Sequence, residues 1–308
     1  MLKLVPENTN INFLKVRKIV AVMSVVLVIG SIGSLVFKGL NLGVDFTGGI
    51  MIDAAFPKAP DLDKLRPRIN ELKLGDTSIQ EFGSPTALLI RLPQQPGGES
   101  GQQVAVKKVQ AELEKNYGDV KFRRVETVGG KVSAELVQKG IIAIVLALIA
   151  ISFYIWFRFE WQFGAGALLS LAHDVVITLG FLVVTQLEFN LNLIAAILTI
   201  VGYSLNDTII LYDRVRENMR KHRKMDITPM INLSVNETLA RTVMTSVTLL
   251  IALIALFLFG GEVIRGLTIS MIVGVILGTY SSIYIASPML IWMKLNRESF
   301  VSASKQTP

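Results

Sequence analysis

Apolar residues gather in six runs, 19–37, 140–157, 163–186, 189–211, 242–260 and 266–293, separated by short polar connections except after the first and the fourth. Each approaches or exceeds the roughly 20 residues whose helix covers about 30 Å of hydrocarbon, so the pattern predicts six transmembrane helices. The first run follows the basic cluster Lys15, Arg17, Lys18 and is longer than a signal-peptide core. Lys38-Gly-Leu-Asn41 after it offers no small-residue cleavage site, so it reads as an uncleaved anchor.

Between the first and second runs the periodicity changes to that of a domain of about 100 residues. Strand-like alternation covers 50–56, an amphipathic helix with Asp61 as its cap covers 61–72, and strands at 78–82 and 87–92 flank the turn Gly83-Ser84-Pro85. A Pro, Gly and Gln-rich loop at 93–101 precedes a helix at 102–116, with Val106, Val109 and Leu113 on one face, and a strand at 120–128. The order β-α-β-β-α-β predicts a ferredoxin-like antiparallel sheet with two helices on one face. The fold expected is therefore a polytopic α-helical membrane protein with six transmembrane helices, carrying an α+β ferredoxin-like domain between helices 1 and 2. Its segments are 1–18, 19–37, the domain at 38–139, a five-helix region at 140–293 with a basic loop at 212–241, and a tail at 294–308.

Composition agrees with this and adds orientation. Of 308 residues, 51% are hydrophobic and 18% charged, and the net charge of +7 sits in short segments beside apolar runs. Lys and Arg collect at the N-terminus, at Arg158, from Arg214 to Lys224, and at Lys294, Arg297 and Lys305, while the connections around Glu188 and from Glu262 to Arg265 are nearly neutral. The positive-inside rule then puts both termini in the cytoplasm and residues 38–139 on the opposite side, which in a bacterium with an inner membrane would be the periplasm. Such charge speaks for topology and lipid head groups, not nucleic acid. With no Cys and only His173 and His222, the chain offers neither a disulfide framework nor a metal site.

Candidate chemistry begins with Asp207, an acid inside the fourth span. A charge at the centre of a bilayer helix costs roughly 2.5–3.5 kcal/mol on insertion scales, which makes an intramembrane carboxylate a functional candidate in search of a partner. Arg241, on the next antiparallel span, is the counter-charge expected. Spacing leaves two readings open, a proton relay switched by a moving arginine or a static ion pair. Asp174 is a second relay candidate, with Ser204, Asn206, Thr208 and His173 as supporting polar groups. His173 and Asp174 are adjacent and so about 100° apart on a helix, which is expected to keep them from facing one partner directly. In the sixth span Gly266, Ser270, Gly274, Gly278, Ser282 and Ala286 form a ladder of small residues suited to close helix packing, in assembly or in sliding. After the first span, Gly43-Val-Asp-Phe-Thr-Gly-Gly49 reads as a junction in which Asp45 bonds or caps a turn and Gly48 and Gly49 permit it. An intramembrane aspartyl protease built on Asp174 and Asp207 is disfavoured, because Leu205 stands where a glycine is usual.

Two segments carry a resemblance: Gly43 to Gly49, with Asp45, Phe46, Gly48 and Gly49, and Gly202-Tyr-Ser-Leu-Asn-Asp-Thr208 followed by Asp213-Arg-Val-Arg-Glu-Asn218. They resemble the signature segments of the SecF family, the smaller subunits of the bacterial SecD–SecF complex in the resistance-nodulation-division superfamily. The resemblance implies an accessory subunit of preprotein export, not an enzyme, that uses the proton motive force and no cofactor other than the coupling proton. It implies SecD, the SecYEG channel and a translocating preprotein as partners, with YajC and YidC as further candidates, in a lipid bilayer. Proton transport in that family matches Asp207 and Arg241 here. A scaffold for SecD and the translocon, without proton conduction, is the alternative. A small-molecule efflux permease is disfavoured, because such chains carry twice as many spans.

Overall fold

The computed structural model describes residues 9–295. The outermost polar residues 1–8 and most of the expected tail, including Arg297 and Lys305, lie outside the described residues. The chain forms two compact units, one of Asn41–Ile144 with Glu188–Leu191 and one of the remaining segments.

In the helical unit, α1 is Arg17–Phe37. The α+β unit opens with a single turn, α2 (Val44–Thr47), and continues with β1 (Gly49–Ala55), α3 (Leu62–Glu71), β2 (Ser78–Phe82), β3 (Ser84–Leu92), α4 (Gly98–Tyr117) and β4 (Lys121–Val128). The sheet is antiparallel in the order β2-β3-β1-β4, with Ile52 of β1 opposite both Ile90 and Val125. One sheet face packs Ile50, Ile52, Leu88 and Ile90 against Leu65 and Ile69 of α3 and Val109 and Leu113 of α4. On the other, Met51 and Leu89 pack with Val44 of α2. Because β1 is covered on both faces, its run Gly-Ile-Met-Ile-Asp-Ala-Ala lacks polar alternation. Asp61 caps α3 as expected, accepting from Asp63 N at 3.1 Å. The expected turn at 83–85 is shorter: Gly83, at φ +75°, makes it, and Ser84 already belongs to β3.

Six helices among the described residues are long and apolar enough to cross a membrane. After α1 come α5 (Gly130–Arg158), α6 (Trp161–Thr185), α7 (Leu191–Lys221) and α8 (Ile227–Phe259). The last span comprises α9 (Glu262–Ser281), a π-helical turn (Ser282–Ala286) and α10 (Ser287–Trp292). Helices α6 and α7 are the most enclosed, while α1 and α5 leave nearly all of their apolar surface uncovered, as lipid-facing helices do. Pro288 lacks the N–H that would continue an α-helical ladder, and the widened turn just before it absorbs the gap.

Several helices overrun the apolar runs. Helix α5 begins ten residues before position 140, through Lys131, Glu135 and Lys139. The segment 212–241, expected as a basic loop, is helical except for a turn at 222–226. Polarity ends a membrane span, but only a breaker or a lost partner ends a helix. Beyond the apolar run, α7 keeps an inward face of Tyr212, Val215, Asn218 and Met219, and its outer charges pair: Arg214 with Glu217 at 2.6 Å and Glu237 at 2.7 Å, Lys221 with Glu217 at 2.6 Å. Asn218 donates to Ser234 Oγ of α8 at 3.0 Å, so the two helices stay joined beyond the apolar runs.

Candidate functional site

A layer of polar side chains crosses the helical unit. Asp174 of α6 is completely buried, and its carboxylate has three hydrogen-bond partners. Ser204 Oγ of α7 donates to Oδ2 at 2.5 Å, Ser281 Oγ of α9 donates to the same oxygen at 2.6 Å, and His173 Nδ1 lies 2.9 Å from Oδ1. His173 and Asp174 take different partners on the other helices, and the imidazole folds back over one residue to reach its neighbour's carboxylate. Tyr280 stacks on His173 with ring centroids 6.1 Å apart, and its hydroxyl bonds Ser24 of α1 at 2.8 Å. Four helices therefore meet through one carboxylate and one ring.

On the α8 side of α7 a second chain of hydroxyls runs from Tyr203 to Ser246 at 2.8 Å and on to Thr279 of α9 at 2.7 Å. Asp207 lies one turn beyond both Tyr203 and Ser204, between the two chains. It is 1% exposed, yet neither of its carboxylate oxygens has a hydrogen-bond partner among the described residues.

Arg241 does not supply that partner. It is exposed, and among the described residues no ion pair joins it to Asp207. The reason is register: the inward positions of α8 at this level belong to the buried Thr242 and Ser246, and Arg241 stands about 100° round from Thr242. Of the supporting residues, Ser204 and His173 join the Asp174 cluster, Thr208 is buried beside Asp207, and Asn206 is exposed and joins neither.

Ser281, Thr279 and Tyr203 escape sequence reasoning, since a hydroxyl in an apolar span is ordinary helix glue. The one available signal was the density of Thr279-Tyr-Ser-Ser282 in an otherwise apolar run. The small-residue ladder is used inside the chain: a Cβ on Gly274 would lie 2.4 Å from Ile200, and one on Gly278 would lie 3.0 Å from Ser204, so α9 is drawn against the helix that carries Asp207.

The junction Gly43–Gly49 is built within the α+β unit. Gly49, at φ +112°, leaves no room for a side chain, its Cβ position being 2.3 Å from the Leu92 carbonyl oxygen, and Gly48 turns at φ +69°. Asp45 Oδ2 accepts from Leu191 N, the first residue of α7, at 3.0 Å. Phe46 stacks on Phe189 at 5.5 Å. Nearby, Arg91 pairs with Glu188 at 3.1 Å. Burial pushes the Glu188 carboxyl above its ordinary range, and Arg91 offsets part of the rise.

The model for the C-terminal region of SecD/SecF protein export membrane proteins matches residues 108–296, and the SecD/SecF GG-motif model matches residues 33–56. The chain belongs to the SecD/SecF family. It is 44% identical over 296 residues to the protein translocase subunit SecF of Rickettsia felis, covering 94% of each chain. With the SecF of Rickettsia prowazekii the identity is 42% over 293 residues, covering 94% of this chain and 93% of the other. Among solved structures, the crystal structure of SecDF from Thermus thermophilus, a translocon-associated membrane protein, matches at 32% identity and a TM-score of 0.85, over 95% of this chain and 40% of its own. A SecDF crystallised in a Super-membrane-facing form matches at 31% identity over 99% of this chain and 41% of its own, with a TM-score of 0.67. The chain thus spans about two fifths of SecDF. Within the SecD/SecF matches, Gly43, Asp45, Phe46, Gly48 and Gly49 fall in the GG motif, and Asp174, Ser204, Asp207, Arg241 and Ser281 all fall in the C-terminal model.

Proposed function

We propose that the chain is a multi-pass inner-membrane subunit of preprotein export that works with SecD beside the SecYEG channel and couples proton movement to late steps of translocation. YajC and YidC are further candidate partners. Both termini lie in the cytoplasm, and the α+β unit, a ferredoxin-like split βαβ arrangement, lies in the periplasm. No catalytic step and no cofactor are required: the proton is the coupling ion and Asp207 its carrier.

One observation carries this reading. Asp207 is buried at a helix interface and among the described residues neither carboxylate oxygen has a hydrogen-bond partner, whereas Asp174, one turn away, is fully bonded. A static structural acid would be bonded as Asp174 is. An unbonded acid with a cation on the neighbouring helix has two arrangements open to it, proton held or proton released towards Arg241. Each proton crossing 100 mV carries about 2.3 kcal/mol, enough to bias a conformational equilibrium nearly fiftyfold. Within the small-residue ladder, Gly274 and Gly278 are occupied by α7, whereas a Cβ on Gly266 would meet nothing within 4 Å.

The test is gradient-dependent preprotein export in membrane vesicles containing the chain and SecD. Asp207→Asn is expected to abolish the increment given by the proton gradient while SecD still co-purifies, and Arg241→Met is expected to do the same. A normal increment with Asp207→Asn would sink the relay and leave the scaffold reading standing.

A further inference from the structure

Hydroxyls of the spanning helices commonly donate to the carbonyl oxygen four residues back, as Thr178, Ser246, Thr268 and Ser270 do at 2.7 or 2.8 Å. Others donate across to a neighbouring helix, as Ser204 and Ser281 do to Asp174. Ser170 of α6 does neither. It is 1% exposed, and its Oγ has no hydrogen-bond partner among the described residues. His173, one turn on, is 7% exposed, and its Nε2 is likewise without a partner among them. A buried polar atom left unbonded has lost its hydration for nothing, so two of them on one turn need a common explanation.

Their placement supplies it. At 100° per residue Ser170 stands about 60° from His173 and about 40° from Asp174 on the inward face of α6, between the two. Helical side chains lean towards the helix N-terminus, so the imidazole of His173 covers the turn that carries Ser170. The ring is held at Nδ1, 2.9 Å from Asp174 Oδ1, and on its face by Tyr280. Carboxylate oxygens accept, so Nδ1 carries the ring proton and Nε2 keeps its lone pair. Ser170 has an O–H to give. Donor and acceptor are thus complementary, but they belong to side chains whose Cβ atoms lie about 5–6 Å apart, the span of two hydrogen bonds through one oxygen.

We propose that Ser170 and His173 hold a buried water molecule, which donates one O–H to His173 Nε2 and accepts the hydroxyl of Ser170. Two polar partners are enough to keep a water inside a protein. The water completes the Asp174 cluster: Ser170, water, His173 and Asp174 form one hydrogen-bonded string along α6, which continues through Ser204 to α7 and through Ser281 to α9. Asp207 differs, because its two unpartnered atoms are both acceptors and no buried donor without a partner accompanies them on its own helix turn. The site does not depend on the proton-carrier reading of Asp207.

His173 and His222 are the two histidines of the chain, so ring-nitrogen NMR of labelled histidine in the full chain carrying His222→Gln, in lipid bilayers, reports one imidazole. The expected spectrum has Nδ1 protonated, Nε2 unprotonated and magnetisation passing from water protons to the ring. Ser170→Ala removes one of the two groups that hold the water and should lower that transfer at least about fivefold. Ser281→Ala takes a bond from Asp174 without touching the site and should leave the transfer unchanged. A ring protonated at Nε2, a wild-type ring without water transfer, or equal transfer in wild type and Ser170→Ala would each overturn the proposal. An equal fall in Ser281→Ala and Ser170→Ala would also overturn it, since general loosening of the cluster would then account for both. If Ser170→Ala fails to accumulate, the wild-type spectrum decides: water transfer to an unprotonated Nε2 supports the site, and a direct bond from Ser170 to the ring removes it.

Discussion

Asp174 and Asp207 lie about one helical turn apart in level, on facing helices, and both are buried, at 0% and 1% exposed. Their surroundings differ completely. Asp174 is bonded to two hydroxyls and an imidazole from α6, α7 and α9, and Asp207 accepts nothing among the described residues. Burial alone therefore does not mark a working acid in a membrane bundle. What separates them is satisfaction: the bonded acid fixes three helices in one arrangement, and the unbonded one has more than one arrangement available.

The sharpest break of this comparison is on stability. Asp174→Ala should cost about 3 kcal/mol, from two buried hydroxyls and an imidazole left without their acceptor plus the cavity, read as thermal unfolding of the full chain in detergent. Asp207→Asn should change the same melt by well under about 1 kcal/mol, since it removes no bond. Equal losses at the two positions would erase the distinction. Ser281→Ala and Ser204→Ala sharpen it further. Each should cost about 0.6 kcal/mol, the average for an interhelical hydrogen bond in a membrane, and additivity should fail in the double variant because both hydroxyls share one oxygen.

The smallest effect concerns the Arg91–Glu188 ion pair of the α+β unit. Burial raises the Glu188 carboxyl above its ordinary value, so the native chain holds that proton more tightly than the unfolded chain does. Stability from this group is greatest with the proton bound and falls as pH rises from the ordinary glutamate value through the raised one. In Glu188→Gln the fall should be missing: the difference between the two chains' melting temperatures should vary with pH across that window and be flat above it. A constant difference would show that Glu188 does not titrate differently in the folded and unfolded chains.

Much of the architecture was legible because membrane residence is written in long apolar runs and strand pairing in short alternating ones. The six spans, the β-α-β-β-α-β order and the Asp61 cap follow from those periods. Helix ends did not follow, as α5, α7 and α8 show, because hydropathy reports where lipid stops and not where hydrogen bonding stops. The site was half legible. An acid in an apolar helix is conspicuous in any sequence, so Asp207 and Asp174 stood out, as did Arg241.

Which of them are bonded depends on the rotation and register of neighbouring helices, which no local pattern encodes. Register turned Arg241 outward beside Thr242, brought Ser281 from 107 residues away onto Asp174, and seated Gly278 on Ser204. Likewise Gly43 to Gly49 announced a turn, but only packing disclosed that Asp45 ends on the first amide of the helix that carries Asp207. The sequence by itself determined which groups the membrane would make costly and which segments would span it. The tertiary structure alone decided which of those costly groups are bonded, because hydrogen bonds reach about 3 Å and their partners come from helices far apart in the chain.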